Sequence, residues 1–294
     1  MQKLDFQPKF FSCIKNYNKN TFMSDLMAGV IVGIVALPLA IAFAIASGVS
    51  PEKGIVTAII AGFIVSFLGG SKVQIGGPTG AFIVIVYGVI QQYGLAGLTV
   101  ATMIAGVLLI LIGVFKLGTV IKFIPYPVVI GFTSGIAVTI FTTQMADVFG
   151  LNFGGETVPG DFIGKWMLYF RHLDTINWWD AGVCVISVLI IALTPKVSRR
   201  IPGSLVAIIF VTVAVWVMKT YFGITGIDTI GDRFSIDSHL PKAVIPALDW
   251  EAIKNLFPIA VTIAALGAIE SLLSATVADG MISDHHNSNT ELIA

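Results

Sequence analysis

The sequence predicts an all-α polytopic membrane protein with one broken span, and three observations predict it. The 294 residues are 56% hydrophobic and 12% charged, whereas a soluble domain carries about 25% charged residues. Apolar runs recur along nearly the whole chain, most of them close to the roughly 20 helical residues that cross a bilayer core of about 30 Å. One run, between Gly70 and Tyr93, is interrupted by a cluster of glycines and a proline that a continuous helix does not favour. The mean hydropathy of +0.91 agrees. The 17 basic and 17 acidic residues cancel, so no global field points to nucleic acid.

The first residues, 1–24, read as a cytoplasmic N-terminal segment and residues 25–294 as the transmembrane domain. Met1 to Asn20 is mixed and basic, with Lys3, Lys9, Lys15 and Lys19, and no short apolar core with a small-residue cleavage site follows. Spans are then predicted at Leu26–Ser47, Gly54–Leu68, Leu95–Phe115, Val128–Phe149, Ala181–Leu193, Leu205–Tyr221 and Leu256–Val277. The interrupted run brings the crossings to about eight.

That run reads GSKVQIGGPTGAFIVIVYGVIQQY. A helix from Pro78 to Gln92 is only about 22 Å long at 1.5 Å per residue, too short to cross. Val73-Gln74-Ile75 alternates and precedes Gly76-Gly77, which favours an extended piece. The prediction is a short strand followed by a half-helix that starts at mid-membrane, with Pro78 in a first turn where its missing N–H costs nothing. Such backbone is tolerated at that depth only where it is buried in protein or lines a cavity.

Basic residues set the orientation. With the N-terminus inside, cytoplasmic loops hold Lys72, Lys116, Lys122, Lys196, Arg199 and Arg200, and the opposite short loop holds Lys53. Asp161, Asp174, Asp228, Asp232, Asp237 and Asp249 fall on the other side. This asymmetry predicts a cytoplasmic N-terminus, and the expected location is the inner (plasma) membrane. The stretches 152–180 and 222–254 then lie outside. The first holds an amphipathic segment, FIGKWMLYFRHL, with Trp166, Tyr169, Trp178 and Trp179 placed for an interfacial belt. Cys13 and Cys184 have neither disulfide-framework nor metal spacing.

Four places can carry chemistry. A half-helix that starts inside the membrane points free N–H groups and the positive end of its dipole into the protein, which makes an anion site without a basic side chain. Thr79 adds a hydroxyl there, and Gly76, Gly77 and Gly80 let a ligand approach the backbone. GGPTG lacks the Gly-Lys-Ser/Thr ending of a P-loop, and the alternative reading is a kink used for packing alone.

Glu270 is the second place, deep in the apolar ALGAIESLLSATVADG. A carboxylate there costs a few kcal/mol unless protonated, paired or hydrated. Ser274, four residues on, shares its face. Gly267, Ser271, Ser274 and Ala278 continue a small, weakly polar stripe suited to a tight helix contact or a wet cavity. The functional reading is a carboxyl that takes up and releases a proton; the bland one is a structural hydrogen-bonding group.

The first span is the third place. Ala36, Ala40 and Ala44 recur around Pro38, and Gly29 and Gly33 form a small-xxx-small pair, both signs of close packing. Phe43 either lines a cavity or packs. Fourth, the terminal DHHNSNTE holds Asp284, His285, His286 and Glu291. Adjacent histidines diverge on a helix, so no metal site is assigned. No nucleophile–base constellation or nucleotide motif calls for an enzyme or a cofactor.

The motifs taken together resemble the SulP (sulfate permease) family of anion transporters. LPLAIAFAIASGVSP in the first span, GGPTGAFIVI in the broken one, FIPYPVVIGFTSGIAV in the fifth, LGAIESLLSATVADG in the eighth and HNSNTELIA after it are similar to that family, in its order. The resemblance implies the first repeat of a seven-plus-seven inverted-repeat transporter. It implies an anion held by Phe43, Thr79 and Gly80, with Glu270 and Ser274 as the coupling-ion residues. Sodium-coupled members carry Asp where Glu270 stands, so the implied function is sulfate:proton symport. Sodium coupling, a bicarbonate or dicarboxylate substrate and a homodimer stay open. The sequence stops just after the eighth span of the family's fourteen, without the second half-helix or a STAS domain, and is expected to be part of a longer protein. A nucleobase permease of similar fold and a non-transporting scaffold or channel are the competing readings.

Overall fold

The computed structural model describes residues 6–15, 17–119, 126–198, 201–234 and 250–294. Lys3, Lys122, Arg199, Arg200, Asp237 and Asp249, used above for orientation, lie outside the described residues, as do residues 123–125 of the fifth-span motif. The helices are α1 (Lys9–Ile14), α2 (Lys19–Ala46), α3 (Pro51–Leu68), α4 (Ile83–Val114), α5 (Tyr126–Val148), α6 (Phe162–Arg171), α7 (Trp178–Val197), α8 (Gly203–Phe222), α9 (Ile230–Arg233), α10 (Trp250–Ile282) and α11 (Ser288–Ile293). Single 3₁₀ turns occupy Gly80–Phe82 and Leu173–Thr175.

Length and composition make α2, α3, the stretch Gly80–Val114, α7, α8 and α10 long and apolar enough to cross a membrane. α5, with 23 residues, reaches about 34 Å at 1.5 Å per residue. The chain is a multi-pass, all-helical membrane protein. α7 buries none of its residues, and Val185, Val188 and Leu189 are among its exposed side chains, as lipid contact requires.

Contacts divide the residues into two compact units, Met1–Met23 with Ala40–Gly135 and His239–Ala294, and Ser24–Leu39 with Ile136–Ser238. In the first, α4 and α10 form the core. Val100, Ala101 and Ala105 of α4 pack on Leu256, Ala260, Ile263 and Ala264 of α10. A second cluster joins Ala268 and Leu272 of α10 to Leu292 of α11. The small side chains let the two backbones come close, the usual solution where burial in lipid supplies no hydrophobic drive between helices.

The expected packing role of the first-span alanines holds for Ala40 and Ala44, which are buried. Gly54 of α3 sits against them. A methyl on Gly54 would overlap the Ala40 carbonyl oxygen and stand 2.8 Å from Ala44 Cβ. Gly54→Val should therefore lower the thermal unfolding midpoint in detergent, since overpacking costs typically about 1–3 kcal/mol; an unchanged midpoint would show that α2 and α3 do not pack as described. Gly29 and Gly33 behave differently. A methyl at either meets nothing within 4 Å among the described residues, so this pair closes on no neighbour there.

In the second unit α7 and α8 pack together at the Gly203 turn, where a methyl would lie 2.8 Å from the Ile191 carbonyl oxygen. Asn177 caps α7 by accepting from the Trp179 N–H at 3.0 Å, and its amide donates to Gly226 O at 2.6 Å. Gly223 ends α8 at φ +65°, a left-handed cap that only glycine adopts without strain. α6 is the predicted amphipathic segment. Tyr169, however, is buried and stacks on Phe153 at 5.8 Å, so it packs inside this unit, whereas Trp178 and Trp179 are exposed.

The broken span is present and differs in detail. Residues 69–79 are non-helical, but no residue among those described is in a strand. Val73–Ile75 finds no ladder partner there, and one lone extended segment cannot form a sheet. The half-helix begins at Gly80 and runs into α4, which is broken at Gly94 (φ +65°, ψ −173°). That positive φ is a conformation for glycine, and it separates the half-helix from the following span where the sequence reading places the boundary.

Candidate functional site

The 3₁₀ turn at Gly80 is set by Thr79. The Thr79 backbone is extended, and its hydroxyl accepts the Ala81 N–H at 3.2 Å. The Phe82 N–H reaches Thr79 O at 3.3 Å and the Ile83 N–H reaches Gly80 O. Thr79 thus marks the helix start and caps it with its own hydroxyl.

Glu270 of α10 meets this start from the side. The Thr79 hydroxyl donates to Glu270 Oε1. The second carboxyl oxygen, Oε2, is buried with no hydrogen-bond partner among the described residues. Phe82 and Leu109 lie beside Gly267, one turn before, where an added methyl would stand in ordinary contact with them at 3.8 and 3.7 Å. Two residues singled out by separate arguments, 191 positions apart, are therefore in contact. The orphaned Oε2 is a buried acceptor that a proton or another cation satisfies; left charged and unmatched it is expensive.

The remaining predicted residues divide. Gly80 is buried at the turn. Phe43 is buried in the C-terminal part of α2, near the Ala40 and Ala44 contact with Gly54. Ser274 is not drawn into the Thr79–Glu270 pair: its hydroxyl donates back to Ser271 O at 3.4 Å. Gly76 is filled by packing, since a methyl there would lie 2.7 Å from Val65 Cγ2; that glycine serves the contact with α3 rather than a ligand's approach. Gly77 is freer, since a methyl added there would come no nearer than 3.9 Å to Ala58 Cα. A cavity of about 420 Å³ lies elsewhere, between Tyr93–Val100 and Glu251–Leu256. Leu256 is 14 helical residues from Glu270, about 21 Å along α10, so this cavity is separate from the Thr79 site.

Residues after α10 supply a framework that the sequence reading passed over. Glu291, 5% exposed, accepts the Gly70 N–H at 2.7 Å and the Ser71 N–H at 3.1 Å on Oε2, and the Ser271 hydroxyl at 3.4 Å on Oε1. Gln74 Nε2 donates to Ser271 O at 3.1 Å and lies 3.3 Å from its hydroxyl. The residues that tempted a metal reading have other occupations. Lys72 pairs with Asp284 at 2.8 Å and holds its carboxyl down at about 2. His286 sits between Asp279 Oδ2 at 2.7 Å and Ser288 Oγ at 2.9 Å, clamping the turn into α11. The one advance signal was the concentration of polar side chains in HNSNTE beside an apolar span.

Comparison with known proteins places this arrangement. The family described as "Sulfate permease family" matches residues 22–294. The chain is 46% identical over 286 residues to "Putative sulfate transporter YvdB" of Bacillus subtilis (strain 168), covering 97% of this chain and 53% of that protein. It is 32% identical over 249 residues to "Bicarbonate transporter BicA" of Synechocystis sp., covering 82% and 42%. The chain thus spans about half the length of the curated relatives it matches. The transmembrane domain of a cyanobacterium bicarbonate transporter BicA superposes with TM-score 0.74 at 30% identity, over 94% of this chain and 70% of that one. SLC26A9, at 17% identity and TM-score 0.75 over 96% and 48%, shares the fold. With the matched family region running from the first span to the last described helix, and the broken span bonded to α10 inside it, the chain belongs to the sulfate permease family.

Proposed function

We propose that the protein carrying this chain is a secondary active anion transporter of the plasma membrane, that it moves sulfate together with a proton, and that its N-terminus is cytoplasmic. The observation that carries the reading is the Thr79–Glu270 contact: a half-helix start and a buried carboxyl with one free oxygen share one place. Membrane transporters aim half-helix N-termini at anionic groups, and Phe43, Thr79 and Gly80 are the residues assigned to the anion.

Coupling follows from charge. An ionised Glu270 beside the half-helix start repels an incoming anion. A proton on the free Oε2 cancels that repulsion and satisfies the orphaned oxygen. Anion and proton then favour each other's binding, which is what symport needs. Ser274, assigned with Glu270 to the coupling ion, lies four residues on along the same helix.

Sulfate is favoured by the 46% relative, named as a sulfate transporter. The second reading is bicarbonate, favoured by the BicA relative and by the BicA transmembrane structure. The test is labelled sulfate uptake into proteoliposomes by the protein at its natural length, with and without an inward proton gradient. Gradient-driven sulfate accumulation is expected. Bicarbonate accumulation without sulfate uptake would keep the site and change the substrate, a response to sodium alone would change the coupling ion, and no anion uptake would sink the reading.

A further inference from the structure

The non-helical segment 69–79 carries the half-helix start, and Glu291 grips its far end. We propose that Glu291 is a positioning residue for the anion site: it fixes the segment against α10 so that Thr79 and Gly80 are held beside Glu270. This rests on the transport reading above and adds a residue to it.

The geometry is a closed circuit. Glu291 takes both N–H groups of the Gly70–Ser71 turn on one oxygen and the Ser271 hydroxyl on the other. Ser271 in turn accepts from Gln74, in the middle of the segment. Thr79, at the segment's other end, bonds Glu270, the residue before Ser271. The segment is therefore tied at residues 70, 71, 74 and 79, and the 74 and 79 ties land on adjacent positions of α10. The Gly70 peptide is further strapped to α11, since the Asn287 N–H donates to Gly70 O at 2.9 Å. Gly69, Gly70 and Ser71 are all buried, so water is not at hand to replace Glu291 for the two N–H groups.

What matters in this role is reach, with charge secondary. A Gln at 291 keeps a carbonyl oxygen for the Gly70 and Ser71 N–H groups and offers an amide to the Ser271 oxygen. An Asp keeps the charge and falls short by one methylene. Ala removes every contact.

The experiment measures backbone hydrogen exchange of residues 69–79 together with anion uptake, in the natural-length protein and its Glu291→Gln, Glu291→Asp and Glu291→Ala variants. Exchange in the segment is expected to rise about tenfold or more in Asp and Ala, and to stay near wild type in Gln, because only the first two leave buried N–H groups unmatched. The anion KM is expected to rise about tenfold in Asp with kcat changed little, and to be restored in Gln. Should Ala fail to assemble, the Gln–Asp pair decides. Unchanged exchange in Asp would overturn the anchoring role while leaving the transport reading intact. Raised exchange with an unchanged KM would overturn the link to the anion site. A wild-type-like Asp with a defective Gln would assign Glu291 a charge role and overturn the positioning one. Failure of the transport reading shows separately, as a wild-type protein that takes up no anion while its exchange pattern still obeys Glu291.

Discussion

Glu270→Gln is expected to abolish proton-driven uptake while the protein still assembles. Gln keeps the size of the side chain and an oxygen for the Thr79 hydroxyl, so the contact that seats the half-helix survives. It removes the acid whose free oxygen takes the proton. Gradient-driven accumulation should fall at least tenfold, the equivalent of about 1.4 kcal/mol. Anion binding itself should persist, because a neutral amide resembles the protonated state. Glu270→Lys separates folding from function: an ammonium in a span costs about 2.5–3.5 kcal/mol on insertion scales, so its yield in the membrane should drop where that of Gln does not. The measurement is uptake against an imposed proton gradient, paired with quantitation of protein in the vesicles. Wild-type pumping by Glu270→Gln would remove Glu270 from the mechanism.

Thr79→Val carries the second large effect. The threonine hydroxyl has one proton, which goes to Glu270, and it accepts the Ala81 N–H. Valine keeps the shape and loses both. A buried group left without its partner costs about 1–3 kcal/mol, and 1.4 kcal/mol is tenfold in affinity. The anion Kd should therefore rise about tenfold, with proton dependence of transport retained because Glu270 is still present. Thr79→Ser should bind close to wild type, since the hydroxyl is what matters. Equilibrium binding of the labelled anion decides, and equal affinity in Val and wild type would discredit the half-helix site.

The spans were legible because membrane crossing imposes a length and an apolarity that a sequence displays directly. α3 and α8 lie within a few residues of the predicted bounds, and the interruption between Gln92 and Leu95 is the positive φ at Gly94. The broken span was legible for a local reason, its glycine and proline spacing, although a paired strand was not, because pairing depends on a partner that local alternation cannot reveal. Thr79 and Glu270 were each chosen on their own chemistry, and only the fold could show them bonded.

Ser274 illustrates why the rest was hidden. Residue i+4 shares a helix face with residue i, which is a sound guide when one flat surface meets another. Here the irregular segment wraps α10 and touches 270 and 271, successive positions about 100° apart around the axis. Glu291 was visible as an acid in a polar run, yet its partners are backbone N–H groups more than two hundred positions earlier. No pattern in NSNTE specifies an acceptor for a turn at Gly70. At Gly29 and Gly33 a methyl would meet nothing within 4 Å among the described residues.

The ties on segment 69–79 also set an order of events in biogenesis. The Gly70 N–H waits for a carboxylate 221 positions later in the chain, Thr79 for one 191 positions later, and the Gln7 N–H for Thr290, 283 positions on. At a synthesis rate of about 5–20 residues per second, 221 residues take on the order of 10–45 s. Throughout that interval the peptide groups of the nascent segment lack the partners that the fold gives them. Water or the insertion machinery must serve them until the ribosome delivers α10 and α11, so the segment assigned to the anion is completed by residues made 191 and 221 positions after it.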